Sequence, residues 1–297
     1  MPKVSIIIPS YNCADYVRGA VDSALAQTFH DYEIIVVDDG SSDDTREVLE
    51  AYGRESRFRY VYQENRGLPG ARNAGARASQ ADYLAFLDAD DALAPEALEV
   101  MTAELERSGT SWCLIDILKV LGEKKEIRRT TVPAGDLFHE ILRNDFIRRA
   151  MFFKRQDFFD VGMYDEAMRY REDWELNIRM FGKQKPFAYI GRPLYWYTWR
   201  EGSITTGNRG KVLVYTEMVL RKHHKRLADA GDRTAAKLYA KNMWDLGRAY
   251  FSEQRNTKRA AACVRESLAY DFNARRLFHP VVYRLRRWGV RQDNTTP

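Results

Sequence analysis

Along residues 1–95, short apolar runs rich in β-branched side chains alternate with segments whose apolar positions recur every three or four residues. Residues 4–8, 33–37, 59–63 and 83–87 read as strands, the first of them stopped by Pro9. Between them, Val17, Val21 and Leu25 give residues 14–26 one apolar helical side. Residues 41–44, Ser-Ser-Asp-Asp, offer N-caps for a helix to about residue 52, and residues 70–78 read as a helix entered through Gly67-Leu68-Pro69-Gly70. Such alternation implies right-handed crossovers and a mainly parallel α/β sheet with flanking helices. After Pro95 a helix to residue 107, a strand at 111–120 and a charged turn at 123–126 follow. Residues 145–210 are dense in aromatics with weak periodicity, and from residue 210 the pattern turns helical.

Composition adds a division. The 297 residues are 45% hydrophobic and 30% charged, which describes a soluble globular chain with a domain of about 200 residues and an addition. No apolar stretch approaches the roughly 20 residues needed to span a bilayer, and the N-terminus lacks the order of a signal peptide. Cys13, Cys113 and Cys263 are too scattered for a zinc site or a disulfide framework, which fits a reducing cytoplasm. Residues 211–297 hold 19 Lys or Arg against 8 Asp or Glu, a net of +11, and the total of +5 leaves −6 for residues 1–210. An acidic front able to hold a cation thus precedes a basic tail able to meet an anionic surface. Within that tail, Leu246-Gly247-Arg248-Ala249-Tyr250 with Ala260, Val264, Ser267 and Leu268 resembles one tetratricopeptide hairpin. Such repeats need neighbours, so an ordinary antiparallel helix pair is the simpler reading.

Candidate chemistry sits where the strands end, which is where ligands of open α/β sheets collect. Tyr11, after Pro9 and Ser10, can stack on a nucleobase. In Asp38-Asp39-Gly40-Ser41 a carboxylate can accept the N3–H of uracil or cap the next helix; Asp39 is assigned to the base and Asp38 to ribose or structural bonding. Arg72 and Asn73 open a helix behind a Gly/Pro loop, a setting that favours anions. Asp88 and Asp90 point the same way along an extended segment, and a Mn²⁺ or Mg²⁺ carrying a diphosphate relieves their repulsion, with Asp91 left to cap the following helix. Glu172 and Asp173 precede another helix; acidic residues suit a helix start, and one of them could instead act as a general base.

In this order the segments 4–17, 33–45, 65–75, 83–95 and 171–179 resemble glycosyltransferase family 2, whose members are inverting enzymes of the A-type glycosyltransferase fold. The resemblance covers about residues 1–205. It implies a catalytic domain at 1–209, with a nucleotide-sugar half (1–95) and an acceptor half (96–209), followed by a basic helical region at 210–297. It further implies that Pro9, Tyr11 and Asp39 hold the base of a nucleotide-sugar, usually uracil, and that Arg72 contacts the nucleotide. Asp90 would be the direct metal ligand, Asp88 would lie nearer the ribose and metal waters, and Asp173 would be the catalytic base positioned with Glu172.

Many relatives carry a histidine where this chain has Arg200, and an arginine neutralises a diphosphate oxygen without ligating metal. The expected partners are a UDP-sugar, a glycan or polyprenyl-diphosphate acceptor in surface polysaccharide synthesis and, through residues 275–288, an anionic membrane surface, with no nucleic acid. The expected place is the cytoplasm, peripheral on the inner face of the plasma membrane. A nucleotidyltransferase would normally carry a Gly-rich, cationic loop where Pro9-Ser10-Tyr11-Asn12 stands, and an inactive interaction module would have lost Asp88, Asp90 or Asp173.

Overall fold

The computed structural model describes residues 1–147, 149–199 and 208–271. Arg200 and the basic segment 275–288 lie outside the described residues. The chain divides into two compact units, one of residues 1–138 and 145–203 and the other of residues 139–144 and 204–297.

The first unit is built on a sheet that begins with β1 (Val4–Ser10), β2 (Tyr32–Asp38), β3 (Phe58–Tyr62) and β4 (Tyr83–Phe86), followed by the short β5 (Ala92–Leu93). β6 (Trp112–Leu121), β7 (Lys124–Arg128), β8 (Arg149–Lys154) and β9 (Phe187–Thr198) complete it. Spatially the strands run β3-β2-β1-β4-β8-β6-β9-β5, with β7 hairpinned onto β6. β1 through β4 are mutually parallel, whereas β8 is antiparallel to both β4 and β6. The parallel half matches the alternation of the sequence. β8 and β9 arise from the stretch whose periodicity is weak.

Pro9 does not end β1, which continues to Ser10. The amide of Leu87 donates to the Ile7 carbonyl on the β4 side, and the amide of Asp39 donates to Ser10 on the β2 side. By alternation Pro9 faces the β4 side, where pairing has already finished at Ile7–Phe86, so its missing N–H removes no ladder bond.

Helices cover the sheet: α1 (Val17–Leu25), α2 (Thr45–Glu50), α3 (Leu68–Ala78), α4 (Ala97–Ser108), α6 (Arg155–Asp160) and α7 (Glu172–Gly182), with α5 (Leu137–Arg143) crossing the boundary between the units. Within the expected cap segment of α2, the Asp43 carboxylate does the bonding; it accepts from the amides of Thr45 and Ala14, tying the ends of β2 and β1 together. The Asn12 side chain and the Ser42 amide add a second latch between those loops at 2.8 Å.

α3 lies close on β1 because Gly75 has no side chain. A Cβ there would stand 2.4 Å from Ile7 Cγ2 and 3.2 Å from Val37 Cγ2. Gly75→Ala is therefore expected to lower stability by about 1–3 kcal/mol through overpacking. A denaturation midpoint equal to the native one would refute this account of the contact.

The described residues of the second unit are mainly helical. Helix Arg209–Val219 runs on through a π-helical segment, Leu220–Lys225, into Arg226–Asp229. Helices Arg233–Gln254 and Thr257–Tyr270 then form an antiparallel pair, each N-capped by a side chain, Asp232 and Asn256 respectively. Gly247 permits their close crossing, since a Cβ there would meet the Ala260 carbonyl at 3.1 Å. Among the described residues no helix is long and apolar enough to cross a membrane.

Candidate active site

The acidic strand ends and the start of α7 meet around two guanidinium groups. Arg72 lies on α3 with its side chain 3% exposed; Nη2 donates to Asp88 at 2.7 Å, and Nη1 faces Glu172 at 3.0 Å and Asp173 at 3.3 Å. It also sits over the Tyr164 ring, 5.1 Å from the centroid. Arg72 is thus placed among the chain's own carboxylates, not on an open anion-binding face. Its charge holds in this burial because Asp88, Asp173 and Glu172 surround it.

Arg149, which no sequence motif singled out, is the second. The β4–β8 register pairs Ala85 with Phe152, and three residues farther along each antiparallel strand bring Arg149 beside Asp88. Its Nη2 donates to the Asp88 carboxylate and to the Tyr195 hydroxyl, and lies 3.5 Å from Asp91. Its Nη1 is 3.9 Å from Asp173, and the guanidinium lies 4.1 Å from the Tyr195 ring centroid. Both oxygens of Asp88 are therefore engaged by guanidinium. Burial alone would raise its pKa, but Arg149 and Arg72 hold it well below the usual carboxylate range.

Asp91 does not cap α4, whose start is at Ala97 with Glu96 as the cap position. It is buried beneath the site, where it accepts from the Tyr195 hydroxyl at 2.6 Å and from the Thr198 amide at 2.8 Å. Burial, reinforced by the neighbouring Asp88 and Asp90 charges, pushes its pKa up to about 7 against the pull of Arg149. Asp90 is half-buried.

Glu172 and Asp173 open α7, where a helix N-terminus favours negative charge. Arg171 before them sits in the left-handed region at φ 63°, a conformation that costs a non-glycine residue about 1–3 kcal/mol and turns the chain sharply into the helix. Farther along, buried Glu175 forks onto Arg179, whose Nη2 donates to the Met163 carbonyl at 2.6 Å. Glu172 is buried, and that burial, with the adjacent Asp173 charge, raises its pKa to about 7. Asp173 is 41% exposed at the side chain, the most open carboxylate paired with Arg72. The two acidic neighbours thus divide, one buried against Arg72 and one reaching solvent.

At the end of β1, Tyr11 is 50% exposed and Pro9 is buried. Asp38 is taken by structural bonds, accepting from the Ser41 amide at 2.9 Å and the Tyr60 hydroxyl at 2.6 Å. Asp39 is buried and accepts from Gln63 Nε2 at 2.5 Å and from the amides of Arg66 at 2.9 Å and Gly67 at 2.8 Å. The anion at the start of α3 is therefore the Asp39 carboxylate itself. A carboxylate has about four acceptor sites, so Asp39 retains room for about one further donor.

Residues 5–169, more than half of the chain, match the family described as Glycosyl transferase family 2. The chain belongs to glycosyltransferase family 2. EpsJ of Bacillus subtilis, described as an uncharacterized glycosyltransferase, is 29% identical over 226 residues, covering 69% of this chain and 63% of that one. A chondroitin synthase of Escherichia coli is 41% identical over 115 residues, which is 38% of this chain and 17% of the synthase. These alignments span less than two thirds of either relative. Among solved structures, S. aureus TarS 1-349 in complex with UDP-GlcNAc superposes with a TM-score of 0.65 at 17% identity, covering 96% of this chain and 92% of that one. That likeness shows the A-type transferase fold.

Proposed function

We propose that the chain transfers a sugar from a nucleotide-sugar, of the UDP class, to a hydroxyl of a glycan or lipid-linked acceptor, with inversion at the anomeric carbon. The observation that carries this is the joining of Asp88, at the end of β4, to Glu172 and Asp173, at the start of α7, through Arg72. Donor-side and acceptor-side carboxylates are thereby held within one guanidinium of each other. UDP-GlcNAc in the TarS structure and the polysaccharide-synthase relatives support the donor class and the glycan acceptor.

In this reading the base of the nucleotide lies against Tyr11 and offers its N3–H to the remaining acceptor site of Asp39. Asp173 removes the proton of the acceptor hydroxyl, because it alone of the Glu172–Asp173 pair is open to solvent. Glu172 positions it through their shared bonding to Arg72. The donor set also fits a hard divalent cation: Mn²⁺ or Mg²⁺ is commonly held by one or two carboxylates with substrate phosphates supplying further oxygens. Here Asp90 would hold it, since guanidinium groups already engage both oxygens of Asp88. When bound, such an ion stabilises negative charge on the leaving diphosphate.

Calorimetric titration with UDP, GDP, CDP and dTDP, each with and without Mn²⁺, tests the donor class. UDP is expected to bind more tightly with Mn²⁺, and Asp90→Ala is expected to remove that gain. Failure of all four nucleotides to bind would end the transferase reading and favour an interaction module on an inactive domain.

A further inference from the structure

Arg149 differs from Arg72 in two respects. Its side chain is 17% exposed where that of Arg72 is 3% exposed. Its Nη1 has a 3.9 Å ion contact with Asp173, longer than a hydrogen bond, whereas both terminal nitrogens of Arg72 are bonded to carboxylates. The Nε of each arginine is buried with no hydrogen-bond partner among the described residues, so the difference lies at the terminal nitrogens. A guanidinium offers five donors in a fixed fork suited to phosphate oxygens, and Arg149 keeps part of that fork uncommitted on the side of Asp173. It is also stiffly mounted, since β8 lies between β4 and β6 and the Tyr195 ring supports the guanidinium face.

Five carboxylates, those of Asp88, Asp90, Asp91, Glu172 and Asp173, share this end of the sheet with Arg72 and Arg149. Bringing in a diphosphate adds further negative charge. A fixed cation beside the place where negative charge develops stabilises the departing group without reorganisation at the moment of reaction.

We propose that Arg149 is a phosphate-binding residue of this transferase, a cation carried by the protein that meets the β-phosphate of the donor. The inference rests on the transferase reading above. As the bond between the anomeric carbon and the β-phosphate oxygen breaks, that oxygen leaves with the electron pair and Arg149 neutralises it through charge-assisted hydrogen bonds. The acceptor oxygen forms the new bond to the anomeric carbon, and its proton goes to Asp173. Nucleoside-diphosphate binding therefore persists in part when divalent metal is removed.

The test compares UDP with UMP by calorimetry in EDTA and in Mn²⁺, using the native protein, Arg149→Met and Arg149→Lys. Melting temperatures establish that each variant is folded, and Arg149→Lys keeps the charge if Arg149→Met does not fold. In EDTA the native protein is expected to bind UDP about tenfold or more tighter than UMP, the size of one charge-assisted contact. Arg149→Met is expected to bring the two within about twofold while leaving UMP affinity unchanged, and Arg149→Lys to keep an intermediate preference. An unchanged UDP preference in both variants would overturn the proposal. So would equal weakening of UDP and UMP, which marks a purely structural arginine, or native binding of UDP only with Mn²⁺. In each of those cases the transferase reading survives. Absence of UDP binding under both conditions would remove the two together.

Discussion

Replacing Arg72 with methionine is expected to lower the unfolding free energy by about 3–5 kcal/mol, because the change leaves buried carboxylates without their partner. Arg72 is the shared counter-ion of Asp88, Glu172 and Asp173, and its aliphatic stem is the only part methionine can replace. Glu172 already has its pKa raised by burial and by Asp173, with Arg72 opposing the rise. Removing Arg72 therefore raises it further, and the same holds for Asp88, now kept low by Arg149 and Arg72. A carboxyl whose pKa is higher in the folded than in the unfolded protein binds its proton preferentially when folded, so stability falls as pH rises through that interval. The deficit of Arg72→Met should accordingly be larger at pH 8 than at pH 5. Urea denaturation at both pH values measures it; a deficit below about 1 kcal/mol at pH 8 would show that the arginine is not holding these groups.

Asp173→Asn should leave the fold and UDP affinity nearly untouched and reduce kcat by about 10²–10⁴-fold, the usual contribution of general-base catalysis. The substitution is nearly isosteric, and the amide oxygen can still accept from Arg72, so stability should change little. Glu172→Gln should move acceptor KM as well as kcat if, as proposed, Glu172 acts through the placing of its neighbour. Steady-state rates with a UDP-sugar and acceptor, beside calorimetry with UDP, separate the two. A loss of kcat below tenfold in Asp173→Asn would assign the base elsewhere.

The parallel half of the sheet was legible because β-branched runs stop at turn residues, and the turns carry the carboxylates. Those same turns were ambiguous in detail. Asp38, Asp39, Asp43 and Asp44 look alike in sequence, yet only the fold shows that Asp43 latches two loops and that Asp39 closes the start of α3. Asp91 has a capping spacing, but Tyr195 and the Thr198 amide arrive from β9, more than a hundred residues away, and claim it. Arg149 gave no signal at all. In sequence it is half of an arginine pair ahead of an apolar strand, and only the antiparallel pairing of β8 with β4 turns it toward Asp88. Arg72 was found by its helix start, but periodicity does not reveal that acidic groups a hundred residues on fold over it.

Adjacent residues of α3 grip the loop that leads into α7. Arg72 binds Glu172, and Asn73 exchanges hydrogen bonds with the backbone of Tyr164 in both directions while also reaching Glu166. This limits how the catalytic domain can be recombined. If residues 96–209 form the acceptor half, as proposed, they would not be a cassette that exchanges freely among relatives, because Arg72 and Asn73 of α3 hold the chain at Tyr164, Glu166 and Glu172. A hybrid enzyme would inherit a working base only if both sides of that seam came from the same parent, or from parents matched at these few positions.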